Sequence, residues 1–229
     1  MLYAVPPRLL KGVEAVAQDF RFAVEYIAPC NVWVRRSCAP CAAKTENSAF
    51  AYRPLEPADA ALINTRWTYG GTPEKEAYIR GMIRHCTTLG ATRAAGQDSP
   101  LVAWVLQQDY GPIGMLHTEP EVRRQGVGLA TASRLSDVIC ANRLAALRAE
   151  GLPPPEAAAA SGAGDDEKNA VAELKSGECD PRPLAMGSRV LPPLPFAYIV
   201  RTNAASEALF TKAGFAPVVQ AEWCMLSPT

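Results

Sequence analysis

The chain has 229 residues, with Lys+Arg 23 against Asp+Glu 23 and 48% hydrophobic residues. That length holds one domain plus an appendage, and the apolar share is enough for a core. The charge balance excludes a general electrostatic footprint for nucleic acid or a membrane surface, and no apolar run approaches the ~20 residues of a membrane span.

The N-terminus lacks a basic-then-apolar signal peptide, and the excess of Arg and Lys before residue 37 reads as a solvated face rather than a transit peptide. The cysteines, Cys30, Cys38, Cys41, Cys86, Cys140, Cys179 and Cys224, are odd in number and scattered, as expected of reduced thiols inside a cell. The expected location is therefore intracellular, cytoplasmic or mitochondrial. Cys38-Ala39-Pro40-Cys41 has no second pair at zinc-finger spacing, and His85 and His117 are too few for a histidine-rich site, so no metal is expected.

Residues 1–46 are expected to form an N-terminal appendage or partial domain, with a helix from Pro7 to about Asp19 and a short strand at Val32-Trp33-Val34. The remainder, 47–229, reads as the main domain. Phe50 to Arg53 alternates like a strand, and Pro57 opens a helix running to about Trp67. Thr72-Pro73-Glu74 is a strong helix start: a side-chain cap, proline in the first turn and an acid near the positive end. Ala77, Ile79, Met82, Ile83 and Cys86 mark that helix's apolar face.

From Thr88 the period changes to two. Leu89 to Ala94, Leu101 to Leu106 and Ile113 to Val122 predict a three-strand meander, with turns at Gly96–Pro100 and Asp109–Pro112. The last strand feeds Arg123-Arg124-Gln125-Gly126-Val127-Gly128-Leu129, and a helical pattern follows through Ala132, Leu135 and Ile139. A glycine-containing turn that opens a helix can aim several backbone N–H groups, and the positive end of the helix dipole, at one phosphate. The third glycine of a dinucleotide fingerprint and the Gly-Lys-Ser/Thr of a nucleotide-triphosphate loop are both absent.

From Gly151 to Pro193 the composition collapses into Ala, Pro, Gly, Glu and Asp, which predicts a disordered insertion at about 150–193. Phe196 to Val200 is a buried strand. Asn203 starts a short helix closed by Gly214, and 216–219 with 221–226 read as a closing hairpin.

The Arg123-x-x-Gly126-x-Gly128 spacing resembles the acyl-CoA pyrophosphate loop of the GCN5-related N-acetyltransferase (GNAT) superfamily. Asn203-Ala204-Ala205-Ser206 through Leu209-Phe210, Lys212 and Gly214-Phe215 resembles that superfamily's last helix, in the right order and at the right distance. A narrower likeness runs through Asp59–Asn64, Trp67, Gly70-Gly71, Tyr78-Ile79, Trp104, Gly111, Thr118-x-Pro120-Glu121-x-Arg123 and Trp223-Cys224, similar to the C-terminal domain of the glycine N-acyltransferases. It covers about 50–229 apart from the insertion.

The resemblance implies an α+β fold: a GNAT-like mixed, splayed β-sheet flanked by helices. It implies acyl-CoA or acetyl-CoA as cosubstrate, lying between the strands that end near Leu116 and Ile199. Pantetheine would pair with backbone at Leu116, His117 and Thr118 as an added strand. The pyrophosphate would rest on Arg123, Arg124, Gln125, Gly126, Val127, Gly128 and Leu129, with Asn203 and Phe210 of the last helix beside the cofactor. The implied reaction is N-acyl transfer to a small-molecule amine, glycine or another amino acid leading. The alternatives are an N-acetyltransferase acting on a protein or polyamine, and a catalytically degenerate CoA-binding or scaffold protein.

Direct transfer needs a proton acceptor for an ammonium and donors for a developing oxyanion. The family's usual Glu base falls at Pro112, which does no acid–base chemistry, and its usual Tyr acid falls at Phe210. The nearby substitutes for the base are His117, Glu119, Glu121 and Asp109. His117 has the suitable intrinsic pKa, but alternation points it away from residues 112, 114 and 116 unless the strand bulges. Ser206 is the candidate hydrogen-bond donor to the leaving thiolate.

Overall fold

The computed structural model describes residues 2–5, 11, 14, 15, 17, 21–39, 47–94, 99–151 and 194–228. Within these, eight strands form one sheet: β1 (Leu2–Val5), β2 (Phe22–Arg35), β3 (Phe50–Arg53), β4 (Thr88–Arg93), β5 (Leu101–Gln107), β6 (Ile113–Thr118), β7 (Phe196–Val200) and β8 (Phe215–Pro228). The order across the sheet is β1-β8-β2-β7-β6-β5-β4-β3. Every neighbouring pair is antiparallel except β6 and β7, which run parallel. Four helices are fully described: α1 (Ala60–Arg66), α2 (Pro73–His85), α3 (Val127–Ala149) and α4 (Ala204–Lys212). Residues Met1–Cys140 and Leu194–Thr229 make up one unit, and Ala141–Pro193 a second. In the second, the described residues are the end of α3 and the Glu150-Gly151 turn. The fold is α+β, as the sequence resemblance implies.

β5 shows why the sheet sits inside. Leu101 to Leu106 are all buried, because helices cover both faces. Trp104 and Leu106 pack with Ile63 of α1 and Ile79, Met82 and Ile83 of α2. Val105, which alternates with them, packs instead with Leu135 and Ile139 of α3 and Phe210 of α4. The two helix pairs therefore lie on opposite faces. On the α3 side Phe210 and Phe215 meet edge-on at 5.0 Å, which closes the end of α4 against the start of β8.

The meander β4–β5–β6 and the strand–helix–strand order after it follow the sequence reading. Two elements differ. Residues 215–228, expected to contain a hairpin, are one 14-residue strand. No Gly, Asn or Asp lies between Val219 and Ala221 to hold a tight turn, and Gln220 stands opposite Asn31 of β2. A register shift between Val32 and Trp33 accommodates Pro217, whose missing N–H is tolerated where β8 has no pairing with β1. Residues 32–34, expected as a short strand, belong to the 14-residue β2, which is hydrogen-bonded between β7 and β8. Of the helix predicted over 7–19, Lys11, Glu14, Ala15 and Ala17 are described and helical. The rest of that helix, Cys41 of the C-x-x-C pair and insertion residues 152–193 lie outside the described residues.

The turn between α1 and α2 positions most of the later chemistry, and one buried side chain builds it. Asn64 is 7% exposed. Its Oδ1 accepts from the Gly71 N–H at 2.9 Å, and its Nδ2 donates to the Thr72 carbonyl at 3.1 Å. The Thr72 hydroxyl then caps α2 by accepting from the Lys75 N–H, and Gly70 N–H closes onto the Trp67 carbonyl at 2.9 Å. Asn64→Ala removes both hydrogen bonds that hold the turn, each worth ~0.5–1.5 kcal/mol, so it should cost about 1–3 kcal/mol. Chemical denaturation checks this; an unchanged midpoint would mean that the turn holds without Asn64.

Candidate active site

The site begins with a fault in β6. Ala103 stands opposite Thr118 and Trp104 opposite His117, but Leu106 stands opposite Gly114, so β6 carries one more residue than β5 over this stretch. The extra residue is Met115, held at φ +52°. Such a bulge bends a strand and re-aims the side chains beyond it. Leu116 packs with the α3–α4 core, whereas His117 stacks on Trp104 with ring centroids 4.5 Å apart and planes at 18°. His117 therefore faces the α1–α2 side.

β6 and β7 then separate. Ile113 opposite Ala197 is the pair that joins them, and from Leu116 to Thr118 β6 has no strand on its β7 side among the described residues. At the end of β6, Glu119 and the short 3-10 turn Pro120–Val122 lead into the loop. Arg124 at φ +64° and Gly126 at φ +80° curl the chain into α3, a geometry that suits glycine at 126. The second glycine meets a different demand. A Cβ at 128 would lie 2.6 Å from Thr118 Oγ1, so Gly128 lets the start of α3 sit on the end of β6. The Arg123 N–H bonds back to Pro120 and the Gln125 N–H back to Val122. The N–H groups of Arg124, Gly126, Val127, Gly128 and Leu129 make no hydrogen bond among the described residues. Val127 is buried and Leu129 half-buried, while Arg123, Arg124 and Gln125 are exposed. Arg123 Nε also binds the Thr118 carbonyl at 3.0 Å, which ties the arginine to the strand end.

A pocket of about 540 Å³ opens beside the separated strands. Ile113, Gly114, Met115 and Tyr198 form its floor, Trp67, Lys75 and Tyr78 its α1–α2 wall. Gln108, Asp109 and Tyr110 of the β5–β6 turn and Trp223 of β8 complete it. Edge-on ring contacts run from Trp67 to Tyr69 at 5.9 Å and from Tyr69 to Trp223 at 6.0 Å, linking the α1–α2 turn to β8. Asp109 Oδ1 accepts from the Tyr78 hydroxyl and from the Tyr110 N–H, each at 3.1 Å. Burial, with the Asp109 charge beside it, pushes the Tyr78 phenol well above its usual value, so it stays a donor.

A smaller cavity of about 110 Å³ shares Trp67 and Met115 with the large one, and is walled also by Arg66, Thr68, Trp104, Leu116 and His117. Arg66 Nε binds Glu119 Oε1 at 2.9 Å, and His117 Nε2 lies 3.6 Å from Glu119 Oε2, inside ion-pair range but beyond a hydrogen bond. Burial pushes the imidazole below its usual value; Glu119 opposes this, and Arg123 and Arg66 add to it. Burial alone would raise the Glu119 carboxyl, but the Arg66 bond and charge, with His117, outweigh it and hold Glu119 below the carboxylate range. Near neutral pH this gives an unprotonated His117 beside an ionised Glu119.

The sequence-predicted residues thus divide. Leu116, His117 and Thr118 lie along the separated edge, and the 123–129 loop meets them through the Thr118–Gly128 and Thr118–Arg123 contacts. α4 reaches the loop as well, since Leu209 Cδ1 would be 3.6 Å from a Cβ at 128. Asn203 Oδ1 accepts from the Ser206 N–H at 3.0 Å, so Asn203 is the helix cap of α4. Ser206 is half-buried on the first turn. Phe210, expected beside the cofactor, is 4% exposed and packs in the core against Phe215. Pro112 is buried at the start of β6, where its carbonyl accepts from the Gln108 N–H at 2.8 Å. Glu121 is exposed, and Asp109 lines the large pocket. Lys75, Tyr110 and Tyr198 escaped the sequence reading: no local spacing marks residues that converge from three distant segments. No group of metal-binding side chains occurs among the described residues, and no helix among them is long and apolar enough to cross a membrane.

Comparison with known proteins agrees with this geometry. The FR47-like protein family matches residues 88–147, from β4 through the loop into α3. A glycine N-phenylacetyltransferase of Bos taurus is 25% identical over 127 residues, 56% of this chain and 38% of the bovine protein. A Drosophila protein of known crystal structure is 24% identical with a TM-score of 0.63, over 99% of this chain and 60% of that one. A putative GNAT-family acetyltransferase of Novosphingobium aromaticivorans has 13% identity and a TM-score of 0.49, over 91% of this chain and 68% of that one. The chain therefore spans less than two thirds of the bovine and Drosophila proteins. The FR47-like match falls on the meander, loop and helix that carry the separated edge and its unpaired N–H groups.

Proposed function

We propose that this chain is an acyl-CoA-dependent N-acyltransferase that moves an acyl group from CoA to a small amine, with glycine or another amino acid as the leading acceptor class. The observation that carries the reading is the parting of β6 from β7 directly above a loop of unpaired backbone donors. Its two halves fit the two ends of one ligand. The loop offers N–H groups of Arg124 and Gly126 to Leu129, the α3 dipole and two exposed arginines, a donor set suited to a pyrophosphate. The free edge from Leu116 to Thr118 offers backbone groups to an amide-bearing arm such as pantetheine. The bovine relative, named for phenylacetyl transfer to glycine, supports this donor and acceptor class.

Bound acyl-CoA would supply an activated thioester. The protein's part is to place the amine, accept its proton and stabilise charge on the carbonyl oxygen. His117 is assigned the proton: it is unprotonated near neutrality and its cavity shares walls with the large pocket, so the proton passes to it through water. Glu119, fixed by Arg66, stabilises the imidazolium that results. Backbone N–H groups along the free edge serve the oxyanion. Ser206 is assigned to the thiolate, since Phe210 can give no proton.

Two predictions follow from these roles. Gly126→Glu places a carboxylate where the phosphates would lie and should weaken CoA at least about tenfold by calorimetry. Gly126→Ala carries the same backbone strain without the charge and should weaken it less; equal losses, or none, would detach the loop from CoA. The second concerns pH. Because burial depresses His117, the acid limb of kcat/KM should fall below the ordinary imidazole range. Glu119→Gln removes a charge that favours imidazolium and should move that limb lower still. His117→Ala should remove the limb and lower the rate with little change in CoA affinity. A thiol-release assay across acyl-CoAs and amines measures all three; an unaltered profile in His117→Ala would make His117 structural. CoA binding without turnover on any amine would favour a scaffold.

A further inference from the structure

The large pocket is bigger, and more aromatic, than a glycine needs. Its volume of about 540 Å³ lies in the ~300–1,000 Å³ range of sites that enclose drug-sized ligands. Trp67, Tyr78, Tyr110, Tyr198 and Trp223 all contribute to its walls. A glycine would leave most of that surface against water, and the apolar walls would contribute nothing to its binding.

Charge of both signs meets the same space. Asp109 Oδ1 is occupied by Tyr78 and Tyr110, which fixes the carboxylate, and its Oδ2 makes no hydrogen bond among the described residues. Lys75 is half-buried, its Nζ 5.5 Å from the centre of the Trp67 ring, which keeps the ammonium on the pocket wall. An acyl chain brings no charge to match Lys75 and Asp109. A zwitterion brings both.

We infer that this pocket selects an α-amino acid with a bulky, aromatic or branched apolar side chain, its ammonium on Asp109, its carboxylate on Lys75, and its side chain against the rings. The inference rests on the acyltransferase reading for its claim that this amino acid is the acceptor; the binding itself is independent of turnover.

The test is a calorimetric titration of the full chain, with and without CoA, using L-phenylalanine, glycine and phenethylamine. Phenylalanine should bind at least about tenfold tighter than glycine, from burial of its ring. Phenethylamine, which lacks the carboxylate, should bind about tenfold more weakly than phenylalanine. Lys75→Met should abolish that second difference while CoA affinity and the thermal melt stay unchanged. Equal affinities for phenylalanine and glycine, no detectable phenylalanine binding, or a Lys75→Met variant that loses CoA affinity would each overturn the inference. Thiol release with glycine but no preference for phenylalanine would overturn it and leave the acyltransferase standing. Phenylalanine binding with no thiol release from any acyl-CoA would do the reverse.

Discussion

The structure depends on one extra residue in β6. Met115 takes a left-handed backbone conformation that costs of order 1–3 kcal/mol in a non-glycine residue, and the surrounding sheet has to sustain it. The antiparallel pairing with β5 holds β6 on one side. On the other, β7 meets it at Ile113 and then leaves. The bulge therefore converts an interior strand into a local edge, inside a sheet that continues on both sides. An unpaired edge is ordinarily a hazard for aggregation. Here it faces a pocket and ends at a helix N-terminus, so its free backbone groups lie where a ligand can use them.

The bulge also separates two jobs. Leu116 stays with the core under α3, and His117 turns to the α1–α2 face, where burial lowers its pKa and Glu119 opposes the shift. The loop is separated in a similar way. Gly126 answers to backbone conformation, whereas Gly128 answers to the Thr118 side chain beneath it. The close approach at Gly128 brings the α3 dipole down to the end of β6, so a strand edge and a helix N-terminus adjoin.

Much of the fold was legible because its signals are local. Alternation gave the meander, Thr72 gave the start of α2, and Asn203 with Gly214 bounded α4. The failures share a cause: they depend on partners distant in sequence. β8 reads as a hairpin until β2 is known to lie along its whole length, and β2 reads as a fragment until β7 and β8 flank it. The packing of Phe210 against Phe215 and the α3 face is likewise not marked by any local signal. For the site, the loop and His117 could be named as candidates from the sequence, and both lie beyond the Met115 bulge of β6. The aromatic pocket could not, because Trp67, Tyr110, Tyr198 and Trp223 come from separate segments that only the sheet order brings together.

The central claim is that an acyl-CoA lies along the freed edge of β6 with its phosphates on the start of α3. Amide hydrogen exchange with and without CoA tests it most directly, because it reads the backbone groups themselves. The account predicts slowed exchange at Leu116 to Thr118 and at Arg124 to Leu129, with β3 and β4 unchanged. Protection confined to other segments, or none at saturating CoA, would contradict it.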